Sequence, residues 1–486
     1  MDFQLGSGNC GRRVEVVDRD YGGGIMRLAQ KRVIFYAKAA LLGTTLLFPG
    51  TMAAQAVSLN EAIELAISTN PDIGIVASNR EAVDEELRQA RGLYLPQIDL
   101  ALGIGKESTN DRTTRSRGAN AGDTLNLTRQ EASITLQQRI FDGFETDSTI
   151  KREKARVESA ANRVHENAEF LTLDVIGAYV EVLRQRELVR LSEENLRVHL
   201  GILDFMKQRF AGGGGSRADV AQTEARSARA RATLTQTLND LRDSEAAFTR
   251  IVGQFPDQLE APEFPEGVLP GDLDEAVSLA GTSNPTTKIF EADVRTASAE
   301  ISIAEVPFYP AVTLEAETEY NDGRDGIQTY EFNSQVMLRL RWNLFRGGID
   351  RANRQEQLSR LAESKNRRLR SFLGAQQEMR QSWFALEASR QRVEDLSDSV
   401  KFNMETRDAY RLQFELAQRT LLDVLDAENE LFVSSGQLVS SQTNELLASY
   451  RILAVGGMLM STLTIAPPQQ AVVQHTNWWE GIGITR

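Results

Sequence analysis

Between Phe144 and Phe210, and again between Gly348 and Phe414, the chain runs without a proline, and apolar residues recur among charged ones at helical spacing, as in Val175, Ala178, Tyr179 and Val182. Each run is 67 residues (144 to 210, 348 to 414). A helix rises about 1.5 Å per residue, so each would reach roughly 100 Å, far beyond an ordinary globular helix. Each run is followed by a short polar turn, Phe210–Asp219 or Phe414–Asp423, and by a second helical pattern, Ser216 to Val252 or Thr420 to Val455. The spacing thus predicts two long antiparallel helical hairpins. In the first return helix Ala218, Ala221, Ala225, Ala228 and Ala232 form a seam of small side chains that permits close helix approach.

The hairpins belong to a duplication. Positions 59, 71 and 96 reappear at 273, 285 and 310, a constant offset of 214, within Ser58-Leu-Asn-Glu-Ala and Asp272-Leu-Asp-Glu-Ala, the two Asn-Pro pairs at 70 and 284, and the prolines at 96 and 310. Farther on the offset is 204, matching Phe141-Asp-Gly143 to Phe345-Arg-Gly347 and Asp219-Val220 to Asp423-Val424. The chain therefore reads as two copies of a domain-sized unit: repeat 1 over 57–252, a proline-rich linker over 253–271, and repeat 2 over 272–460, followed by a tail over 461–486. Each copy begins with a helical stretch, about 58 to 94 in the first, that stops before a proline.

Between that stretch and the long helix lies a strand hairpin, about 97–140 in the first copy and 311–343 in the second. Ile98, Leu100, Leu102 and Ile104 alternate with Gln97, Asp99, Ala101 and Gly103, and Val336, Leu338, Leu340 and Trp342 alternate with Gln335, Met337, Arg339 and Arg341. Periodicity alone favours a soluble sheet with one wet face. The setting favours a membrane barrel wall with apolar residues toward lipid and polar ones toward the lumen. Residues 1–56 read as a leader and secretory signal peptide: Arg27, Lys31 and Arg32, then the apolar stretch Val33 to Phe48, then Ala54-Gln55-Ala56. Met26 is an alternative start, and an N-terminal membrane anchor the alternative reading. Four strands cannot close a barrel, since single-chain barrels begin at about eight, so several chains must share one.

Composition excludes other classes. The net charge is −13 with no basic stripe, which argues against nucleic acid as a partner. Cys10 is the single cysteine, so no internal disulfide is possible. His165, His199 and His475 lie far apart, fit no metal spacing and read as surface residues. The glycine run Gly212 to Gly215 follows a helix and lacks a lysine, so it is no phosphate cradle. No enzyme activity, metal or cofactor is expected.

The two-copy plan, the Asn-Pro pairs, the Phe-x-Gly after each strand hairpin and above all Leu421-Leu-Asp-Val-Leu-Asp-Ala-Glu428 resemble the TolC family of outer-membrane exit ducts, over about Ser58 to Met460. The resemblance implies an α+β membrane protein: a homotrimer whose twelve strands form one barrel in outer-membrane lipid and whose helices form a tunnel across the periplasm. It implies partners, a periplasmic adaptor and an inner-membrane ABC transporter or proton-driven pump. The stretch Phe144 through His199 looks most like members serving type I secretion; multidrug efflux and a pore-less secreted coiled-coil scaffold are the alternatives. On the family pattern Asp423 and Asp426 form acidic rings at the periplasmic mouth, and Arg419 bridges to Asp219 to hold it shut. Gly212, Gly213 and Gly214 and Leu416, Ala417 and Gln418 match the adaptor-docking tips. Phe414 stands where the family commonly has tyrosine, and Ala417 where it usually has glycine. Plainer readings stand beside these: Ser216-x-x-Asp219 and Thr420-x-x-Asp423 are capping boxes, and the glycine run is a permissive turn. Capping does not account for Asp426, whose counterpart in the first copy is Gln222.

Overall fold

Capping and proline decide where the short helices begin and end. Ser58 caps α1 (Leu59–Thr69) with a reciprocal bond to Glu61, and Pro71 opens α2 (Pro71–Gly92), so the expected single stretch over 58–94 is two helices broken at Asn70–Pro71. Asn70 accepts from the Asp72 N–H and donates Nδ2–H to Ile251 O, 3.1 Å away. Asn284 repeats the device in the second copy, accepting from the Thr287 N–H and donating to Val455 O at 3.0 Å. Each Asn-Pro thus starts one helix and ties down the last turn of another. This computed structural model describes residues 57–473 apart from 113, 115–123 and 263–264. The leader, Cys10, His475 and Trp478–Trp479 lie outside the described residues.

The remaining elements are β1 (Gln97–Thr109), β2 (Leu125–Phe141), α3 (Glu145–Ala211), α4 (Arg217–Val252), α5 (Leu273–Ser283), α6 (Pro285–Glu305), β3 (Ala311–Asp322), β4 (Glu331–Arg341), α7 (Ile349–Glu415), α8 (Leu421–Val455) and the short α9 (Leu459–Thr462). Strands β1 and β2 run farther into the polar segment between them than the alternation suggested.

All four strands form one antiparallel sheet in the order β1-β2-β3-β4, with Gln97 opposite Gln137, Gln137 opposite Glu315, and Glu315 opposite Met337. Directly opposed residues share a face. One face therefore carries Glu107, Arg129, Glu131, Glu315, Glu317 and Arg339, cross-linked by Arg129 to Glu107 and Glu131, Arg339 to Glu315, and Gln335 to Glu317. The other carries Ile98, Leu100, Leu102, Ile104, Phe332, Val336, Leu338 and Leu340, each more than half exposed. Among the described residues of the chain β1 and β4 are both free edges.

Each strand hairpin passes into its long helix through two consecutive left-handed residues, Gly143–Phe144 in copy 1 and Gly347–Gly348 in copy 2. At Gly143 a side chain is excluded, since an added Cβ would stand 2.9 Å from Tyr309 Cβ. Phe144 holds the strained conformation through edge-on ring contacts to Phe141 and Tyr309.

The helices pack side by side in a layer. Nearer the sheet the order is α2-α3-α6-α7, and beyond the helix breaks it is α4-α3-α8-α7. The largest core lies where α1, α3 and the ends of α4 and α8 converge; there Tyr179 packs on Phe248, its hydroxyl 2.7 Å from Val57 O and 2.8 Å from Glu260 O. Burial pushes that hydroxyl's pKa up to about 12. Smaller cores join α2 to α3 and α5 to α7 and α8. The alanine seam does not pack inside the chain: α4 meets α3 through Thr223, Ser227 and Ala230, leaving Ala218, Ala221, Ala225, Ala228 and Ala232 exposed.

Candidate functional site at the helical tips

The two tips are superposable in their bonding. In the first, Gly213 N–H donates to Phe210 O and Gly214 N–H to Arg209 O; in the second, Ala417 N–H donates to Phe414 O and Gln418 N–H to Gln413 O. Each pair of positions is 204 apart. Gly213 and Ala417 occupy the same left-handed place, φ 79° and 57°. Gly212 and Gly214 do not have positive φ, and their lack of side chains leaves backbone bare at the tip.

Both return helices start on capping boxes. Asp219 accepts from the Ser216 N–H and Asp423 from the Thr420 N–H, while the Ser216 and Thr420 hydroxyls accept from helix N–H groups. Asp423 also takes the Thr420 hydroxyl at 2.8 Å. Those bonds to Thr420, and then the Arg419 charge 4.0 Å away, hold the Asp423 carboxyl below its ordinary range. Arg419 lies over the Tyr410 ring at 4.2 Å and donates to Gln413 Oε1. Among the described residues of one chain, then, Arg419 faces Asp423 and Asp219 serves its cap; the chain does not bring these two expected partners together.

Two contacts that the sequence reading missed join the hairpins behind the tips. Phe414, buried with Met206, Leu421, Val424 and Leu425, stacks edge-on against Phe205 of α3 and lies under the Arg209 guanidinium. Phe414 brings no hydroxyl to this position, and its ring is held by these contacts alone. Arg226 of α4 then reaches Asp426 of α8, Nη2 to Oδ1 2.9 Å. The signal was present in the duplication: positions 222 and 226 are Gln and Arg, whereas 426 and 430 are Asp and Glu.

Deeper in the wall, Glu428 is buried against Arg407 at 3.7 Å, and burial pushes its carboxyl up. His199, read as a surface residue, is buried on α3 with Nδ1 2.8 Å from Asn195 O, and burial holds its imidazole below the ordinary pKa. The heptad spacing of Gln185, Ser192, His199 and Met206, all buried, is the pattern that reveals it. Among the described residues no cluster of His, Cys, Asp and Glu fits a metal ion, and no helix is long and apolar enough to cross a membrane.

The arrangement is that of a wall segment with a sheet at one end and polar tips at the other. Over 62–254 and 276–457, nearly the whole of both copies, the chain matches the family model described as outer membrane efflux protein. It is 25% identical over 448 residues to the outer membrane efflux protein BepC of Brucella suis, covering 91% of this chain and 95% of that one. It is 24% identical over 419 residues to the alkaline protease secretion protein AprF of Pseudomonas aeruginosa, covering 83% and 85%. The solved outer membrane protein VceC of Vibrio cholerae shares the fold, with a TM-score of 0.69 at 20% identity over 83% of this chain and 95% of that one. The chain belongs to the outer membrane efflux protein family and is an exit duct of the outer membrane.

Proposed function

We propose that three copies of this chain close one twelve-stranded barrel and one helical tunnel, and that the duct serves type I protein secretion. The observation that carries the assembly is the open sheet. Its apolar face is exposed, its opposite face is a belt of ion pairs, and both edge strands are unpaired among the described residues, an arrangement that is stable when the apolar face meets lipid and β1 pairs with β4 of another copy. The helical wall ends in the same way. Its α4 edge exposes the alanine seam, and α7 exposes Leu369, Leu373, Phe384 and Phe402, a small-residue face and a bulky one that complement each other across a closed ring.

At the tips, Asp423 and Asp426 form acidic rings at the mouth, and Arg419 meets Asp219 of a neighbouring copy, since inside one chain neither completes that bridge. Bare backbone at Gly212 and Gly214, with exposed Phe210 and Leu416 beside it, supports docking of a periplasmic adaptor there. The adaptor in turn links the duct to an inner-membrane ABC transporter. The secretion relative AprF supports protein cargo; the efflux relative BepC, similar over more of the chain, keeps small-molecule efflux by a proton-driven pump as the second reading.

Planar-bilayer recordings on protein purified from outer membranes test the duct: trimers that resist cold detergent and conduct are expected, and a soluble monomer without conductance overturns it. Deleting the gene separates the cargoes. Loss of a secreted protein with unchanged drug sensitivity supports secretion, and the reverse supports efflux.

A further inference from the structure

We infer that Arg226 is the built-in counter-ion of Asp426: it latches the first helical hairpin to the second behind the tips and screens that carboxylate from the tunnel. The inference rests on the duct reading and adds a residue that neither capping nor the tip pattern supplies. Asp426 lies one turn beyond the capping box, so helix geometry gives it no partner of its own. Arg226 supplies one at 2.9 Å, from a helix that hardly touches α8 along its length. The base of Arg226 is fixed, because the next residue, Ser227, is buried and donates its hydroxyl to His199 O on α3 and to Thr223 O. A fixed base makes the guanidinium a pre-placed cation and lowers the entropy lost when the pair forms.

Exposure sets how firmly the latch holds. The Arg226 side chain is 27% exposed and Asp426 is 58% exposed, so the pair is partly solvated and opens at modest cost. It differs from Glu428 with Arg407, where the carboxylate is 6% exposed. The two copies diverged in a complementary way, Gln222 to Asp426 and Arg226 to Glu430, which puts positive charge on one return helix and negative charge on the other. The consequence concerns selectivity. Asp423 already faces Arg419, so each mouth carboxylate has an in-chain guanidinium, and a multivalent cation binding at Asp426 must first displace Arg226.

The test compares wild type, Arg226→Gln, Arg226→Lys, Asp426→Asn and the double variant as intact trimers in bilayers, with lanthanum ion added at the tip side. Arg226→Gln is expected to lower the half-blocking concentration by up to about fivefold, the effect of freeing a partly exposed carboxylate of at most about 1 kcal/mol of pairing. Arg226→Lys should stay near wild type, Asp426→Asn should block less readily than wild type, and the double variant should match Asp426→Asn alone. Channels in which Arg226→Gln blocks like wild type, or in which the double variant blocks differently from Asp426→Asn, overturn the latch while leaving the duct intact.

A second measurement does not depend on conductance. In a Cys10→Ser background, Arg226→Cys with Asp426→Cys should be joined by a short bis-maleimide within one chain, seen as a monomer of altered mobility on a denaturing gel. Crosslinks that only join different chains, or none at all, overturn the pairing.

Discussion

Helices α3 and α7 are equivalent parts of the two copies, both 67 residues long, yet α3 buries 24 residues and α7 buries five. α3 lies in the middle of the wall, against α2, α4, α6 and α8; α7 lies at its edge, with α5, α6 and α8 on one side only. Duplication gave the unit; position in the wall decided which side chains became core. The difference is plainest at one matched pair. Glu169 in α3 is 1% exposed, and its counterpart 204 residues on, Leu373 in α7, is 54% exposed. A buried acid is costly, and Leu373 is one of several large apolar side chains exposed on α7, with Leu369, Phe384 and Phe402. In the proposed trimer another copy covers that face of α7.

The comparison breaks most readily at Tyr179 and Phe384. Tyr179→Ala removes a ring packed on Phe248 and two hydroxyl contacts from the largest core, a loss of about 4 kcal/mol. Thermal unfolding followed by circular dichroism should show the fold lost or its midpoint sharply lowered. Phe384→Asp, at a side chain 55% exposed, should leave helical content unchanged and abolish the trimer on cold detergent gels. A Phe384→Asp protein that still forms trimers would mean α7 is not the edge that a second copy covers.

Glu169 sharpens the same contrast through pH. Burial raises its pKa from 4.5 to about 7, only partly offset by the backbone N–H groups of Leu459 and Met460 and the charge of Lys288; His165 Nε2 stands 3.9 Å away. The folded state holds the proton more tightly than the unfolded chain. The stabilisation is therefore complete below pH 4.5, falls as pH rises, and is gone above about 7. The span is about 3 kcal/mol. Glu169→Gln should flatten that slope between pH 4.5 and 7 and leave the variant the more stable at pH 8, as read by denaturant midpoints across pH. Leu373→Gln in α7 should leave the slope as it is.

Much of this architecture was legible in the residues because it depends on local rules. Proline before each strand hairpin and the capping boxes marked where helices stop and start, and period-two alternation identified the strands and their two faces. The break at Asn70–Pro71 within the expected single helical stretch was missed, because the Asn-Pro pair served only as a mark of the repeat. Long-range pairing was not legible. The alanine stripe on α4 has the spacing of a packed seam, but periodicity marks a face without saying which element covers it, and the chain's own α3 meets the Thr223–Ser227–Ala230 face instead. His199 was missed because one imidazole among charged residues gives no sign of depth; its heptad relation to Gln185, Ser192 and Met206 does. At the tips the carboxylates were readable, and their cations were not. Arg226 is 200 residues from Asp426, and only the fold brings them together.

The smallest effect tests whether the two tips are equivalent. Gly213 and Ala417 hold the same left-handed turn, yet only one of them has a Cβ, and an L-residue there costs about 1 kcal/mol relative to glycine. Ala417→Gly relieves that strain but also loosens the unfolded chain, so the net gain should be under about 1 kcal/mol. Gly213→Ala adds the strain with no steric penalty, since nothing lies within 4 Å of the added Cβ, and should lose about the same amount. Opposite signs at the two positions, measured as local opening by amide hydrogen exchange of the tip N–H groups, would establish that one turn geometry serves both hairpins. Equal signs would show that the second tip, despite its matching bonds from Ala417 to Phe414 and Gln418 to Gln413, does not respond to a Cβ as the first does.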